Sequence, residues 1–129
     1  MSREQNKAIT VLTDVSLITC IVQRGFGDVI VEAAQAAGAQ GATINYARGT
    51  GVRERLGIFG LAVEVEKTVI SVVVATDQAD RVFEALYIAG ELDTPGRGMI
   101  YVTPLEKAAT YIPREVLQKL EREGHIHGE

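Results

Sequence analysis

The chain contains no tryptophan and only seven other aromatic residues, four tyrosines and three phenylalanines, in 129 positions. That poverty argues against an aromatic platform for carbohydrate and against a stacking surface for single-stranded nucleic acid. A single cysteine, Cys20, excludes an internal disulfide framework and fits a reducing compartment. Positive charge is not in excess either: 13 Lys and Arg face 17 Asp and Glu, a net charge of −4, so the chain does not advertise nucleic acid. Long hydrophobic runs are missing. The longest, near Val15–Val22 and Val69–Ala75, are too short to cross a bilayer, and the N-terminus carries no apolar signal core with a cleavage site. No Ser-His-Asp set, zinc-ligand spacing or acid–base pair stands out. The expectation is a soluble cytoplasmic binding protein without direct membrane insertion, required cofactor or metal, and not an enzyme.

What is present is an internal repeat. Residues 28–38 read DVIVEAAQAAG and residues 80–90 read DRVFEALYIAG, matching at Asp28/Asp80, Glu32/Glu84, Ala33/Ala85, Ala37/Ala89 and Gly38/Gly90. Helical periodicity puts Ile30, Ala33, Ala34 and Ala37 on one face, and Val82, Ala85, Leu86 and Ala89 on another. Gly38 and Gly90 stand where left-handed C-caps belong, and Asp77 where the second helix would be N-capped. β-Branched runs precede both helices and alternating segments follow both. The pattern predicts strands near 15–22, 42–48, 62–75 and 99–104 and helices near 27–37 and 78–89. Two βαβ units in this order form an α+β, ferredoxin-like sandwich, a four-stranded antiparallel sheet with both helices on one face. The strands are apolar on both sides: Ile70, Val72 and Val74 alternate with Val69, Val73 and Ala75. A solvated face would alternate with polar residues, so the second face is expected to be covered by further copies in a closed homo-oligomer.

Three segments fall outside the repeat. Residues 1–13 read as a polar, loosely attached N-terminal segment. The main domain runs over 14–112, with a glycine-rich connector at 49–61. Residues 113–129 comprise a helix over Pro113–Glu123, with Pro113 at the first helical position, and a disordered closing GHIHGE. His125 and His127 are spaced to share a metal, but a polar tail lacks the shell that holds metal ligands. Cys20, inside an apolar strand, reads as a small core residue and not a nucleophile.

The stretch DTPGRGMIYV, residues 93–102, brackets Arg97 with Gly96 and Gly98. Such a triplet suits a tight turn and equally an amide nest for phosphate. Taken together with ITCIVQRGFGDVIVEAAQAAGAQGATI at the front and ARGTG before the connector, it resembles the P-II nitrogen-regulatory signalling family over about Leu17 to Thr110. The resemblance implies a homotrimer that binds an effector in clefts between subunits and docks on a membrane transporter or an enzyme through the connector, the family's T-loop. The implied effectors are ATP, ADP, AMP or cyclic AMP, or bicarbonate, with inorganic-carbon transport among the processes regulated. Gly96, Arg97 and Gly98 match the phosphate turn and Gly49, Thr50 and Gly51 the start of the T-loop. Thr43 and Val73, from a neighbouring subunit, match positions around the adenine. Met99 stands where typical members carry a lysine, and two further family arginines are missing near Thr110 and Ile112, leaving Arg97 as the main cation of the turn.

No tyrosine lies between Arg48 and Val69, so the family's uridylylation is excluded and the chain is a divergent P-II-like protein. Within VRERLGIFGL, Arg53, Arg55, Leu56, Ile58 and Phe59 are the expected partner-binding residues, because apolar groups on an exposed connector are costly unless they dock. Two alternatives stay open: a ligand-free oligomeric interaction module acting through the connector, and a trimer similar to the divalent-cation-tolerance proteins.

Overall fold

A computed structural model of the chain describes residues 9–49, 65–124 and 126–128. The order is β1 (Thr10–Leu12), β2 (Val15–Gln23), α1 (Gly27–Ala36), β3 (Thr43–Gly49), β4 (Val65–Ala75), α2 (Thr76–Ala89), β5 (Gly98–Leu105), α3 (Arg114–Arg122) and β6 (Ile126–Gly128). Strands β3-β4-β2-β5 form one antiparallel sheet, with Ile18 opposite Val72 and Val102, and Cys20 opposite Ile70 and Ile100. This is the double βαβ arrangement that the repeat predicts.

The core lies between that sheet and the two helices. Ile18, Cys20 and Val22 of β2 and Ile70, Val72 and Val74 of β4 meet Ile30 and Ala34 of α1 and Ala79, Val82 and Leu86 of α2. Both helices bury the faces their periodicity specifies. Each fully buried Ile, Leu or Val contributes about 1.5–3 kcal/mol over an exposed one. On the other side of the sheet Leu17, Ile21 and Val69 are half-buried, while Val73, Met99 and Tyr101 are 47%, 55% and 43% exposed. The second face is therefore apolar and open in a single chain.

Several expectations need correction. Asp77 is not the N-cap of α2: Ala75 occupies that position and Asp77 lies in the first turn. Gly38 is left-handed at φ +108, but Gly90 has φ −84, and Glu91 at φ +51 takes the left-handed position instead. Gly90 is favoured by packing, since a Cβ there would stand 3.0 Å from Ile30 Cδ1 and 3.2 Å from Leu92 Cδ2. Helix α2 simply runs one residue further than the repeat suggests before it closes in the same way. Pro113 is the N-cap of α3 rather than its first residue.

The largest departure is at the ends of the chain. Thr10–Leu12, inside the segment expected to be loose, pairs antiparallel with Ile126–Gly128, inside the tail expected to be disordered. Each three-residue strand supplies the backbone partners the other lacks. The ribbon is tied to the domain by hydrogen bonds from Leu12 N to Ala108 O, 2.7 Å, and from Ala108 N to Leu12 O, 3.0 Å. His127 lies opposite Val11 in this ribbon, and His125 falls outside the described residues.

Candidate functional site

Antiparallel register gathers three separate segments at one end of the sheet. Tyr46, Thr68, Val22 and Gly98 form a row across all four strands. Just beyond that row lie the β2–α1 turn (Arg24, Gly25, Phe26), the last residue of β3 and first of β4 that flank the connector (Gly49 and Val65), and the Gly96–Gly98 turn.

The glycine turn is built by backbone geometry. Gly96 has φ +82 and Gly98 φ +148, conformations that side chains disfavour. A Cβ at Gly98 would sit 2.1 Å from the carbonyl oxygen of Ile21 on β2. Gln23 Nε2 donates to Gly96 O at 2.7 Å, and Arg97 N donates to Thr94 O at 3.2 Å. The Arg97 guanidinium lies 4.0 Å from the Phe26 ring centroid, a cation–π contact, with Nη1 3.9 Å from Glu91 Oε1. Its side chain is 21% exposed. The turn thus presents a cation whose direction is set by two contacts within the chain. Met99 follows on the open face, opposite Ile21.

Thr43 and Val73 share that open face but lie elsewhere on it. Thr43 is opposite Ser71, in the row of Thr19 and Tyr101, three residues along β5 from Gly98. Thr43 sits on edge strand β3 and the glycine turn leads into edge strand β5. Three inter-strand steps of about 4.8 Å and three residues of about 3.4 Å put the two groups on the order of 17 Å apart. Within one chain they do not form one pocket. Gly49 ends β3. Thr50, Gly51, Arg53, Arg55, Leu56, Ile58 and Phe59 lie outside the described residues.

The same end of the sheet holds a groove of about 740 Å³, lined on one side by Arg24, Gly27 and Asp28 and on the other by Tyr46, Arg48 and Glu66, with Lys67 and Thr68 also on its wall. It exists because the helices stop short of edge strand β3, leaving Ile44 40% and Tyr46 77% exposed. Gly27 lets α1 approach β4 at its floor, where a Cβ would meet Thr68 Cγ2 at 2.9 Å. Glu66 is the centre of the charge arrangement. Arg24 Nη1 donates to Glu66 Oε2, Arg24 N donates to Glu66 O at 3.3 Å, and Arg48 Nη2 lies 4.0 Å from Glu66 Oε1. Asp28 adds the second acid, while Lys67, between Glu66 and Thr68 on β4, alternates to the other face of the sheet.

The sequence reading assigned Gly49, at the end of β3, to the start of the connector and missed Arg24, Tyr46 and Glu66. The available signal was the QRGFGD turn, whose cation and glycines have no helix-capping purpose. Cys20 is fully buried, and burial pushes its thiol up to about 11, so it stays a core residue. Among the described residues no cluster of three or more His, Cys, Asp or Glu is placed to hold a metal, and no helix is long and apolar enough to cross a membrane.

Comparison with known proteins agrees with this architecture. Among solved structures the chain is similar to PII from Arabidopsis thaliana, crystallised bound to citrate, with a TM-score of 0.58 and 22% identity over 73% of this chain and 79% of that one. That likeness establishes the ferredoxin-like fold. The family model described as nitrogen regulatory protein P-II matches residues 15–115, from the start of β2 into α3. A match over most of the chain, on a double βαβ fold, shows that the chain belongs to the P-II family of nitrogen regulatory proteins.

Proposed function

We propose that this P-II family protein is a trimeric cytoplasmic signalling adaptor that senses a small effector and relays its presence through residues 49–61. The observation that carries this reading is the position of the groove. Its walls include Arg48 on the strand leading into the connector and Glu66 on the strand leading out. An occupant would touch both connector ends, and a ligand that favours one connector arrangement shifts the population toward it. The target is a membrane transporter, such as one for inorganic carbon, or an enzyme, and Arg53, Arg55, Leu56, Ile58 and Phe59 carry the contact.

The trimer is supported by the open apolar face, where Val73, Met99 and Tyr101 are too exposed for a stable solvated surface. A second copy beside that face would set Thr43 and Val73 of one subunit near Gly96–Met99 of the next, joining residues that one chain separates. That cleft between copies is a second site, on the sheet face opposite the groove; there the base would pack near Thr43 and Val73, Gly49, Thr50 and Gly51 would line the wall, and Arg97 would face the phosphates.

A second reading, a ligand-free module acting by connector docking alone, also has an observation in its favour. Backbone conformation and the Ile21 carbonyl account for Gly96 and Gly98 without any ligand. Calorimetry with ATP, ADP, AMP, cyclic AMP and bicarbonate separates the two. Citrate belongs in the same series, because the Arabidopsis relative was solved with it bound. Saturable binding by at least one of these supports the sensor, and no heat from any of them at millimolar concentration leaves the docking module.

A further inference from the structure

We infer that Glu66 is a built-in competitor for the effector, a carboxylate that occupies the groove's arginines until a more highly charged anion displaces it. The inference rests on the proposed sensing role of that groove. Glu66 spans the mouth, bonded to the Arg24 guanidinium through one carboxylate oxygen and facing Arg48 through the other at 4.0 Å. Arg24 comes from the β2–α1 turn, Arg48 from the strand entering the connector and Glu66 from the strand leaving it. One carboxylate therefore links the turn to both connector ends. All three side chains are well exposed, at 72%, 70% and 48% for Arg24, Arg48 and Glu66, so the latch is weak and reversible.

The charge balance gives the latch a selectivity. A monoanion entering between the arginines replaces one negative charge with another and gains nothing. A polyanion, such as a diphosphate, brings a net gain, because its additional charge meets the same two arginines. Displacement frees Glu66, and with it the strand that leaves the connector. The ligand class assigned to the groove is thus a small polyanion, and bicarbonate is selected against there.

Exposed ion pairs contribute up to about 1 kcal/mol, which corresponds to about fivefold in affinity. The test is NMR titration of the full chain with pyrophosphate and, separately, bicarbonate, in parent and Glu66→Gln. Pyrophosphate should bind the parent, shift the amides of residues 24–28 and 66–68, and bind Glu66→Gln about threefold to fivefold more tightly. Bicarbonate should shift those amides only in Glu66→Gln. Glu66→Asp, whose shorter side chain cannot span both arginines, should show the same direction and serves if Glu66→Gln does not fold. Equal or weaker pyrophosphate binding by the variants overturns the inference. So does absence of pyrophosphate binding to parent and variants, an outcome that still leaves a nucleotide effector held at the Gly96–Gly98 turn.

Discussion

The two strand-to-helix joins of the repeat are built for different purposes. After β4 there is no turn at all: Ala75 caps α2 and Thr76 begins it. Thr76 N donates to Asp14 O at 2.8 Å, and the Thr76 and Ser16 hydroxyls share a hydrogen bond of 3.0 Å, so both bonds tie the helix start to the segment around the start of β2. After β2 the chain spends Arg24, Gly25 and Phe26 before α1 starts. Gly25 has φ +101 and no atom within 4 Å of its missing Cβ, Phe26 lies under the Arg97 guanidinium and Arg24 bonds to Glu66. Because β2 and β4 run antiparallel, these joins lie at opposite ends of the sheet. One end is closed and structural, whereas the other is open, charged and adjacent to the connector. Equivalent positions of the repeat differ because one join is closed by hydrogen bonds and the other holds a turn beside the connector ends.

The largest expected effect lies at the open end. Gly98→Val forces a Cβ to 2.1 Å from a backbone oxygen at φ +148, and should cost more than about 4 kcal/mol in urea unfolding. The two faces of β4 provide the next contrast. Val72 is 1% exposed, so Val72→Glu buries an unpaired charge and should cost about 3–5 kcal/mol or prevent folding. Val73 is 47% exposed, so Val73→Glu should leave the subunit folded by circular dichroism and lower the assembly mass in light scattering.

Smaller changes should separate binding from stability. Arg97→Ala should weaken adenine-nucleotide binding in calorimetry by about 1.5–3 kcal/mol, the range for a charged hydrogen bond, while loss of the Phe26 contact costs about 0.5–1 kcal/mol of stability. Thr76→Ala, at the closed end, should do the reverse. Ser16 is 2% exposed and loses its partner, costing about 1–2 kcal/mol in unfolding, with nucleotide affinity unchanged.

Legibility of the sequence followed the range of the interaction. Helix faces were readable because Ile30/Ala34 and Val82/Leu86 recur at helical spacing, and the strands because β-branched runs are local. The termination of α2 was misread because Gly90 answers to Ile30 of another helix, a contact no local pattern reveals. The terminal ribbon joins three-residue strands from opposite ends of the chain, too short to show alternation. The glycine turn was legible as a turn, but the Arg97–Phe26 contact was not. The groove was hidden for a related reason. Its walls come from residues 24–28, 44–48 and 66–68, and only the sheet register brings Tyr46 beside Thr68.

The central claim is that effector binding at the open end acts on the connector, and hydrogen exchange of the protein with and without saturating ADP tests it most directly. The account predicts slowed exchange at the Gly25–Asp28 and Arg97–Met99 amides together with a changed rate across residues 49–64. Exchange unchanged in the connector at an ADP concentration that protects the turns would contradict it.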